Sequence, residues 1–293
     1  MSTAIEYEVI RAGTSLGEGI TWDSRRDVLW WTDIHGRALH RYAWSSGAPE
    51  VLTAPDRIGS FGLVAASDRL IAAFADGIAY YDPVTRDIEW LARPAEVGAG
   101  VRFNDGRIDR AGRFWVGTMK ESEPRSAAGC LYSFDATAGL RCHVRDIRIS
   151  NSLCTSPDGA QLYFADSMAR TIWAYDLIEP TGELRNRRVF AETPKGIAPD
   201  GATVDADGCL WSAQWGGSRV VRYTPDGQVD RIVEVPTSQP SCVCFGGPNL
   251  DVLCVTSARV ELDAATLAAE PHAGDVFLYR VGTQGLPEPE YRP

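Results

Sequence analysis

The chain lacks long apolar segments and any mark of export at its N-terminus. No stretch approaches the roughly 20 apolar residues that a membrane helix needs. The opening residues, MSTAIEYEVIRAG, carry acidic side chains early and no apolar run of signal-peptide length. We therefore expect a cytoplasmic protein with no membrane partner.

Paired cysteines and clustered histidines are also missing. The seven cysteines are odd in number and form no CxxC framework, so we expect reduced thiols. Cys242 and Cys244 share one face of a predicted strand, but they lack the partner ligands that a metal pair needs. The four histidines show no ligand spacing, and we expect surface or strand-pairing roles for His35, His40, His143 and His272.

A basic surface is absent as well. The formal net charge is -10, from 29 Lys and Arg against 39 Asp and Glu. A field of that sign repels phosphate, which argues against nucleic acid and anionic membranes as partners. The sequence contains no phosphate loop or dinucleotide fingerprint. A small neutral molecule or a cation is compatible with this charge.

The sequence does contain an internal repeat. RFNDGRIDRAGRFW, which begins at Arg102, shares its Asp, Gly and final Trp with APDGATVDADGCLW, which begins at Ala198. Weaker copies begin at Leu16, Gly59, Ile149 and Pro240. The six units lie roughly 42 to 49 residues apart, which is the period of a β-propeller blade.

Each unit contains short apolar or β-rich runs separated by turns of Asp, Gly, Ser and Pro. A fourth run follows the first five units but is unclear in the sixth, and EYEVIRA, at 6–12, supplies the missing one. This pattern predicts an all-β, six-bladed β-propeller with four-stranded blades, closed by the N-terminal strand. We expect a single domain over residues 1–293; a two-domain β protein is the alternative.

One position of the repeat varies while the scaffold around it is kept. In a propeller the innermost strand of each blade lines the central channel. Counting back ten or eleven residues from the apolar residue of the second strand gives Glu18, Ser60, Asn104, Asn151, Asp200 and either Ser241 or Cys242. Variation at this position favours a functional role, although Asn and Asp before Gly are also ordinary turn formers. Matching the Asp-Gly pairs instead would place Asp105 opposite Asp200.

Two carboxylates and an amide of this set predict a metal site. Glu18 and Asp200 would repel each other in a confined channel unless a positive charge lay between them. With Asn151 they form an all-oxygen set that suits calcium, magnesium, manganese or iron(II), and zinc is a further possibility. Three protein ligands leave coordination positions open, which favours Lewis-acid chemistry over a purely structural site.

The sequence is similar to the senescence marker protein, gluconolactonase and regucalcin family over nearly its whole length. The matching stretches are LGEGITWD, RFNDGRIDRAGRFWVGTM, ISNSLCTSPDG, PDGATVDADGCLW and CFGGPNLDVLCVTSAR. The resemblance implies a six-bladed propeller that binds one divalent metal in its channel and hydrolyses sugar lactones. It implies metal ligation by Glu18, Asn151 and Asp200, with a metal identity that varies among relatives.

The resemblance also implies that Arg102 and Asn104 contact the substrate. Glu121 corresponds to a substrate-contacting glutamate that follows GTM in relatives, and Glu123 is the open alternative. We expect the metal to polarise the lactone carbonyl while water attacks, with Asp200 as general base. The segments KESEPRSAAG and SARVELDAATLAAEPHAG are expected to form the loops over the channel mouth.

Two other functions are compatible with the fold. One is a non-catalytic calcium-binding or scaffold propeller, because a fold does not fix a function. The other is an organophosphate or aryl esterase. Arg102 beside the ligand set favours a substrate, since a guanidinium repels a metal ion. We therefore expect a sugar lactone of a pentose or hexose as the small-molecule partner; the oligomeric state is left open.

Overall fold

The computed structural model describes residues 5–293. Its strands form six antiparallel sheets of four strands each, arranged in a ring. Blade 1 contains β2 (Gly17–Asp23), β3 (Val28–Asp33), β4 (Ala38–Ala43) and β5 (Ala48–Thr53); blade 2 contains β6 (Ile58–Leu63), β7 (Leu70–Phe74), β8 (Gly77–Tyr81) and β9 (Ile88–Ala92). Blade 3 contains β10 (Val101–Ile108), β11 (Phe114–Lys120), β12 (Gly129–Asp135) and β13 (Gly139–Ile147).

The second half of the ring follows the same order. Blade 4 contains β14 (Ser150–Thr155), β15 (Gln161–Asp166), β16 (Thr171–Ile178) and β17 (Glu183–Glu192); blade 5 contains β18 (Ala198–Val204), β19 (Leu210–Trp215), β20 (Arg219–Tyr223) and β21 (Val229–Glu234). Blade 6 contains β22 (Pro240–Gly246), β23 (Val252–Ser257), β24 (Val276–Tyr279) and β1 (Tyr7–Ile10). A 3-10 turn (Ser167–Ala169) and one short helix, α1 (Ala264–Ala269), lie in the connections. The predicted six-bladed propeller is confirmed.

The N-terminal strand closes the ring, as the sequence predicts. β1 pairs antiparallel with β24, in a register that runs from Tyr7 opposite Tyr279 to Ile10 opposite Val276. The Tyr7 ring also packs edge-on against Phe277, with the ring centroids 5.7 Å apart. Because the first and last strands of the chain share one sheet, β24 is not left as an open edge.

Residues shared by RFNDGRIDRAGRFW and APDGATVDADGCLW form the same hydrogen-bonded turn in both blades. In blade 5 one carboxylate oxygen of Asp205 accepts two backbone amides of the turn, and the other accepts the Trp211 indole N–H at 2.8 Å. Asp109 and Trp115 repeat this arrangement in blade 3, also at 2.8 Å. Asp109 and Asp205 thus form the turns expected between the strands. The Trp recurs because its indole donates a hydrogen bond to the carboxylate of that turn.

All seven cysteines are free, as expected from their spacing. Cys242 and Cys244 lie in an apolar cluster between blades 6 and 1, together with Ile20, Trp22 and Cys254. Their surroundings are those of small core side chains rather than of a metal pair.

The C-terminal strap, residues 284–293, crosses the end of the channel that we call lower. Its backbone bonds begin at blades 5 and 6, where the Ala206 amide donates to the Gln284 carbonyl at 2.9 Å. They end at blade 2, where the Tyr291 amide donates to the Leu63 carbonyl at 2.8 Å. Tyr291 is fully buried in the cluster between blades 2 and 3. The strap thus ties opposite sides of the ring together.

Arg107 fills the lower channel directly above the strap. From β10 its guanidinium reaches across the axis and donates to the carbonyls of Val243 at 2.8 Å, Ala202 at 3.2 Å and Ile20 at 3.4 Å. It also pairs with Glu288 of the strap at 3.0 Å. One side chain therefore joins the inner strands of blades 1, 5 and 6 to blade 3.

None of the helices in residues 5–293 has the length and apolar character needed to cross a membrane.

We expect Asp109→Ala to lower the free energy of unfolding by about 3 kcal/mol or more, because a buried indole and the Arg113 guanidinium lose their acceptor. Asp158 is the matched control: it occupies the corresponding turn of blade 4 but is exposed and has no Trp partner. Asp158→Ala should cost less than about 1.5 kcal/mol. Denaturant unfolding of both variants measures the difference, and equal losses would show that the turn alone, without the indole, carries the stabilisation.

Candidate functional site

A cavity of about 350 Å³ opens at the upper end of the channel, where the inner strands begin. Its wall includes side chains from blades 1, 3, 4, 5 and 6. The structure brings together on this wall every residue that the sequence singled out for ligation, catalysis or substrate contact: Glu18, Arg102, Asn104, Glu121, Asn151, Asp200 and the alternative Glu123.

Irregular pairing interrupts the inner strands where these side chains lie. In β18 the register passes from Pro199 opposite Gln214 to Ala202 opposite Ser212, so two residues, Asp200 and its neighbour, face one residue of β19. Asn104 has the same place in β10, within the shift between Phe103 and Gly106. A bulge of this kind bends the strand and redirects its side chains.

The inner strands of the other four blades also shift register. Glu18 and Asn151 lie immediately before their shifts and pair with Thr32 and Ala165. The irregularity therefore repeats while the residue at or beside it varies.

The same irregularity settles the register in blade 3. Asn104 lines the cavity with Asp200. The carboxylate of Asp105 instead accepts the backbone amide of Leu153 at 2.9 Å, in the interior. The count back from the second strand, which places Asn104 opposite Asp200, was therefore correct. Matching the Asp-Gly pairs, which places Asp105 opposite Asp200, was wrong.

A chain of hydrogen bonds connects the predicted substrate residues to the predicted ligands. Arg102 Nη1 donates to Asn104 Oδ1 at 2.6 Å, and Asn104 Nδ2 donates to Asn151 Oδ1 at 3.2 Å. Asn151 Nδ2 donates to Ser167 Oγ at 2.8 Å, and Ser167 Oγ donates to the Pro199 carbonyl at 2.7 Å. The chain passes through blades 3, 4 and 5, so each side chain is held by its neighbours before any ligand arrives.

Ser152 provides a second link between two blades. It has a left-handed backbone, with φ of 57°, and its buried hydroxyl donates to the Asp200 carbonyl at 2.5 Å. This contact fixes the strand that carries Asn151 against the one that carries Asp200. The sequence analysis missed both Ser152 and Ser167, because the repeat gives no signal for contacts between neighbouring units.

Three carboxylates share the upper channel. Glu18, Asp105 and Asp200 are each at most 7% exposed. Burial, followed by the charges of Asp200 and Asp105, raises the pKa of Glu18 well above its usual value. Burial and the charge of Asp105 do the same to the pKa of Asp200. These carboxylates are therefore costly to ionise without a nearby positive charge.

The donor set fits a divalent cation. Asp200 Oδ1 is buried and has no hydrogen-bond partner within residues 5–293, although buried carboxylate oxygens normally have one. Within that range no three His, Cys, Asp or Glu side chains form a metal-binding group. The predicted set, Glu18, Asn151 and Asp200, has only two carboxylates, and its third member is an amide. An unsatisfied carboxylate oxygen between oxygen donors is what a hard cation would satisfy.

Glu121 lies beside the predicted substrate residue. Its Oε1 accepts Arg102 Nε at 3.1 Å and also bonds Arg57, a residue that the sequence analysis missed. Burial lowers the pKa of Arg102 to about 10, and Glu121 acts in the opposite direction. The side chain of Glu123 is 74% exposed and pairs with Arg125 at 2.8 Å. Glu121 is thus held in the cavity, whereas Glu123 lies at its rim.

The mouth also includes a residue that was not predicted to belong to the site. His35, on the turn between β3 and β4, is exposed, as its expected surface position implies, and it also lines the cavity. Partial burial and the Arg102 guanidinium lower the pKa of its imidazole. Both expected mouth loops do reach the cavity, and Arg125 of the first approaches Glu261 of the second at 3.8 Å.

Comparison with known proteins gives concordant results. Residues 16–259 match the family model described as SMP-30/Gluconolactonase/LRE-like region. The chain is 41% identical to L-arabinolactonase from Azospirillum brasilense, over 93% of this chain and 90% of that one. It is 38% identical to 6-deoxy-6-sulfogluconolactonase from Pseudomonas putida, over 96% of each chain.

A solved structure agrees over the full length. The calcium-binding protein regucalcin from Agrobacterium tumefaciens superposes with a TM-score of 0.92 and 32% identity, covering 100% of both chains. The resemblance seen in the sequence is thereby confirmed, and the chain belongs to the SMP-30/gluconolactonase/LRE-like family.

Proposed function

We propose that the protein is a metal-dependent lactonase that opens sugar aldonolactones to aldonic acids. The observation that carries the proposal is the unpartnered, buried Asp200 Oδ1 on the same cavity wall as the hydrogen-bonded chain that begins at Arg102 and ends at the Pro199 carbonyl. This arrangement combines a site for a cation with polar groups for an organic ligand. The lactonase names of relatives at 38% and 41% identity support the same reaction class.

Glu18, Asn151 and Asp200 would hold the cation, which is calcium, magnesium, manganese, iron(II) or zinc. When bound there, such a cation withdraws electrons from a lactone carbonyl and stabilises negative charge on its oxygen. The remaining work falls to side chains of this protein. Asn151 is oriented by Asn104 and Ser167, so its amide oxygen is fixed before binding.

Asp200, ionised beside the cation that it would hold, accepts the proton of the attacking water. The water oxygen forms a bond to the carbonyl carbon, and the bond from that carbon to the ring oxygen breaks. The proton held by Asp200 passes to the ring oxygen, which leaves as a hydroxyl, so Asp200 ends as the carboxylate again. Arg102 and Asn104 orient the substrate through its ring oxygen and hydroxyls, and Glu121 accepts a hydrogen bond from a hydroxyl. Burial raises the pKa of Asp200, which makes its carboxylate a stronger base once it is ionised.

A non-catalytic calcium-binding propeller is the second candidate, because a structural neighbour is described as a calcium-binding protein. A calcium-binding function would explain the carboxylates, but it gives Arg102 no role in binding. A buried guanidinium beside a cation site opposes cation binding and assists an oxygen-rich organic ligand.

We expect purified protein to contain one divalent cation per chain and to hydrolyse at least one of D-glucono-, D-xylono-, L-arabinono- and D-galactonolactone above the spontaneous rate. Elemental analysis and base titration measure the two quantities. Chelation should remove the metal and the activity together, and metal addition should restore both. Bound metal with no hydrolysis would support the calcium-binding candidate, and a preference for phosphotriesters or aryl esters would support an esterase.

Asp200→Asn should lower kcat/KM by about a hundredfold or more, because the amide cannot accept the proton and is a weaker cation ligand. The metal content of this variant should also fall. Asp158→Asn, on an exposed turn of blade 4, is the matched control and should keep wild-type kinetics and metal. Full activity of Asp200→Asn would exclude Asp200 as the base.

Arg102→Met separates substrate binding from metal binding. We expect kcat/KM to fall by about tenfold to a hundredfold, since a charged hydrogen-bond donor to the substrate is lost. The metal content should stay at the wild-type level or rise, because a repulsive charge has been removed. Loss of the metal in this variant would instead assign Arg102 a structural role in the ligand set.

A further inference from the structure

The cavity wall carries both polar and apolar side chains. His35, Arg102, Asn104 and Glu121 come from blades 1 and 3, and Asn151, Ser167 and Asp200 add polar groups from blades 4 and 5; we call the first four the polar side. The apolar side chains come mainly from blades 4, 5 and 6 and form an arc: Met119, Ile149, Met168, Ala198, Trp215, Val260 and Leu16. Backbone bridges join neighbouring blades at both ends of the arc, Met119 to Ile149 and Leu16 to Ala258.

Trp215 provides the one flat apolar surface in this arc. Among the described residues that line the cavity it is the only Phe, Tyr or Trp. It is partly exposed, whereas Trp22, Trp31, Trp115 and Trp211 are at most 1% exposed and belong to the core. Its other neighbours are the apolar residues Leu16, Ile34 and Ala258, so one part of the side chain is packed and another part faces the cavity.

The backbone around Trp215 is fixed by hydrogen bonds, and the indole is packed against Leu16, Ile34 and Ala258. Trp215 ends β19 opposite Ala198, and the chain then turns through Gly216 with φ of 78°. The Gly216 amide donates to the Ser238 carbonyl at 2.8 Å, and the Gly217 amide donates to the Gln214 carbonyl at 2.9 Å. A side chain fixed in this way loses little conformational freedom when a ligand packs on it.

We propose that Trp215 determines specificity as the surface on which the substrate ring packs. This inference rests on the proposed lactonase function and adds a residue that recognises the substrate ring: the carbon-bound hydrogens of a sugar lactone form an apolar face, and its hydroxyls lie at the ring edge. The ring face contacts the indole, and the hydroxyls reach Arg102, Asn104 and Glu121 on the polar side. A polar edge and an apolar face are thereby both satisfied in one orientation.

The contact is made equally in the bound substrate and in the transition state, because the ring face does not take part in bond breaking. Removing it should therefore change KM more than kcat. With D-xylono-1,4-lactone and L-arabinono-1,4-lactone as substrates, Trp215→Leu should raise KM by about tenfold and leave kcat within about threefold. Trp215→Phe keeps a flat ring and should stay within about threefold of wild-type KM.

Metal content and unfolding temperature check that Trp215→Leu is intact. Trp90→Leu is the matched control, because Trp90 is 41% exposed on an outer strand; its KM should equal that of the wild type. A second readout does not need turnover. Titration with D-xylonate, the hydrolysis product, should change the tryptophan fluorescence of the wild type, and this change should be absent in Trp215→Phe.

The outcomes separate the two proposals. If the wild type hydrolyses neither of these lactones, the comparison is made with D-glucono- or D-galactonolactone; hydrolysis of none of the four overturns the proposed function and this inference with it. If the wild type is active but Trp215→Leu keeps its KM, only the role of Trp215 is overturned. If Trp215→Leu does not fold, equal fluorescence changes in the wild type and in Trp215→Phe overturn that role.

Discussion

The burial of three like charges in one narrow channel is the constraint around which the upper half of this propeller is built. Glu18, Asp105 and Asp200 lie in the interior, and each would be costly to ionise alone. The protein meets this cost differently at each. Asp105 accepts a backbone amide and lies near the Arg107 guanidinium. Asp200 keeps one oxygen unpartnered. The unpartnered carboxylate oxygen of Asp200 is what makes this end of the channel a candidate binding site.

The propeller scaffold and the site use the same short stretch of sequence for different purposes. In RFNDGRIDRAGRFW the later Asp, with Trp115, builds the turn, and the earlier Asn104 projects into the cavity. Asn104 lies within the bulge of β10, and the turn follows the regular pairing at the end of that strand, so the two tasks fall on separate residues. In blade 5 the equivalent position is Asp200, so the chemistry of the cavity wall differs between the two blades while the turn stays the same. One repeated unit can thus supply a neutral donor in one blade and a carboxylate in another.

The fold was predictable because its signals lie within each unit: turn residues, alternating apolar runs and a fixed period. The strand order and the closure by β1 followed from counting runs. Four of the six side chains at the varying position followed from the same count, whereas Ser60 and both candidates in blade 6, Ser241 and Cys242, do not line the cavity. His35, Arg57, Ser152, Ser167 and Trp215 were missed, because they reach the site from turns, strand ends or neighbouring blades. Such contacts depend on how blades pack against one another, and that packing leaves no periodic mark in the sequence.

The closure of the lower channel by Arg107 and the strap limits how molecules reach the cavity. Arg107 and the strap fill the channel beneath the carboxylates, so the cavity is closed at its lower end. Anything that reaches Asp200 from solvent must pass the rim near Arg125 and Glu261 and leave by the same route. Incoming and outgoing molecules therefore share a single opening at the rim.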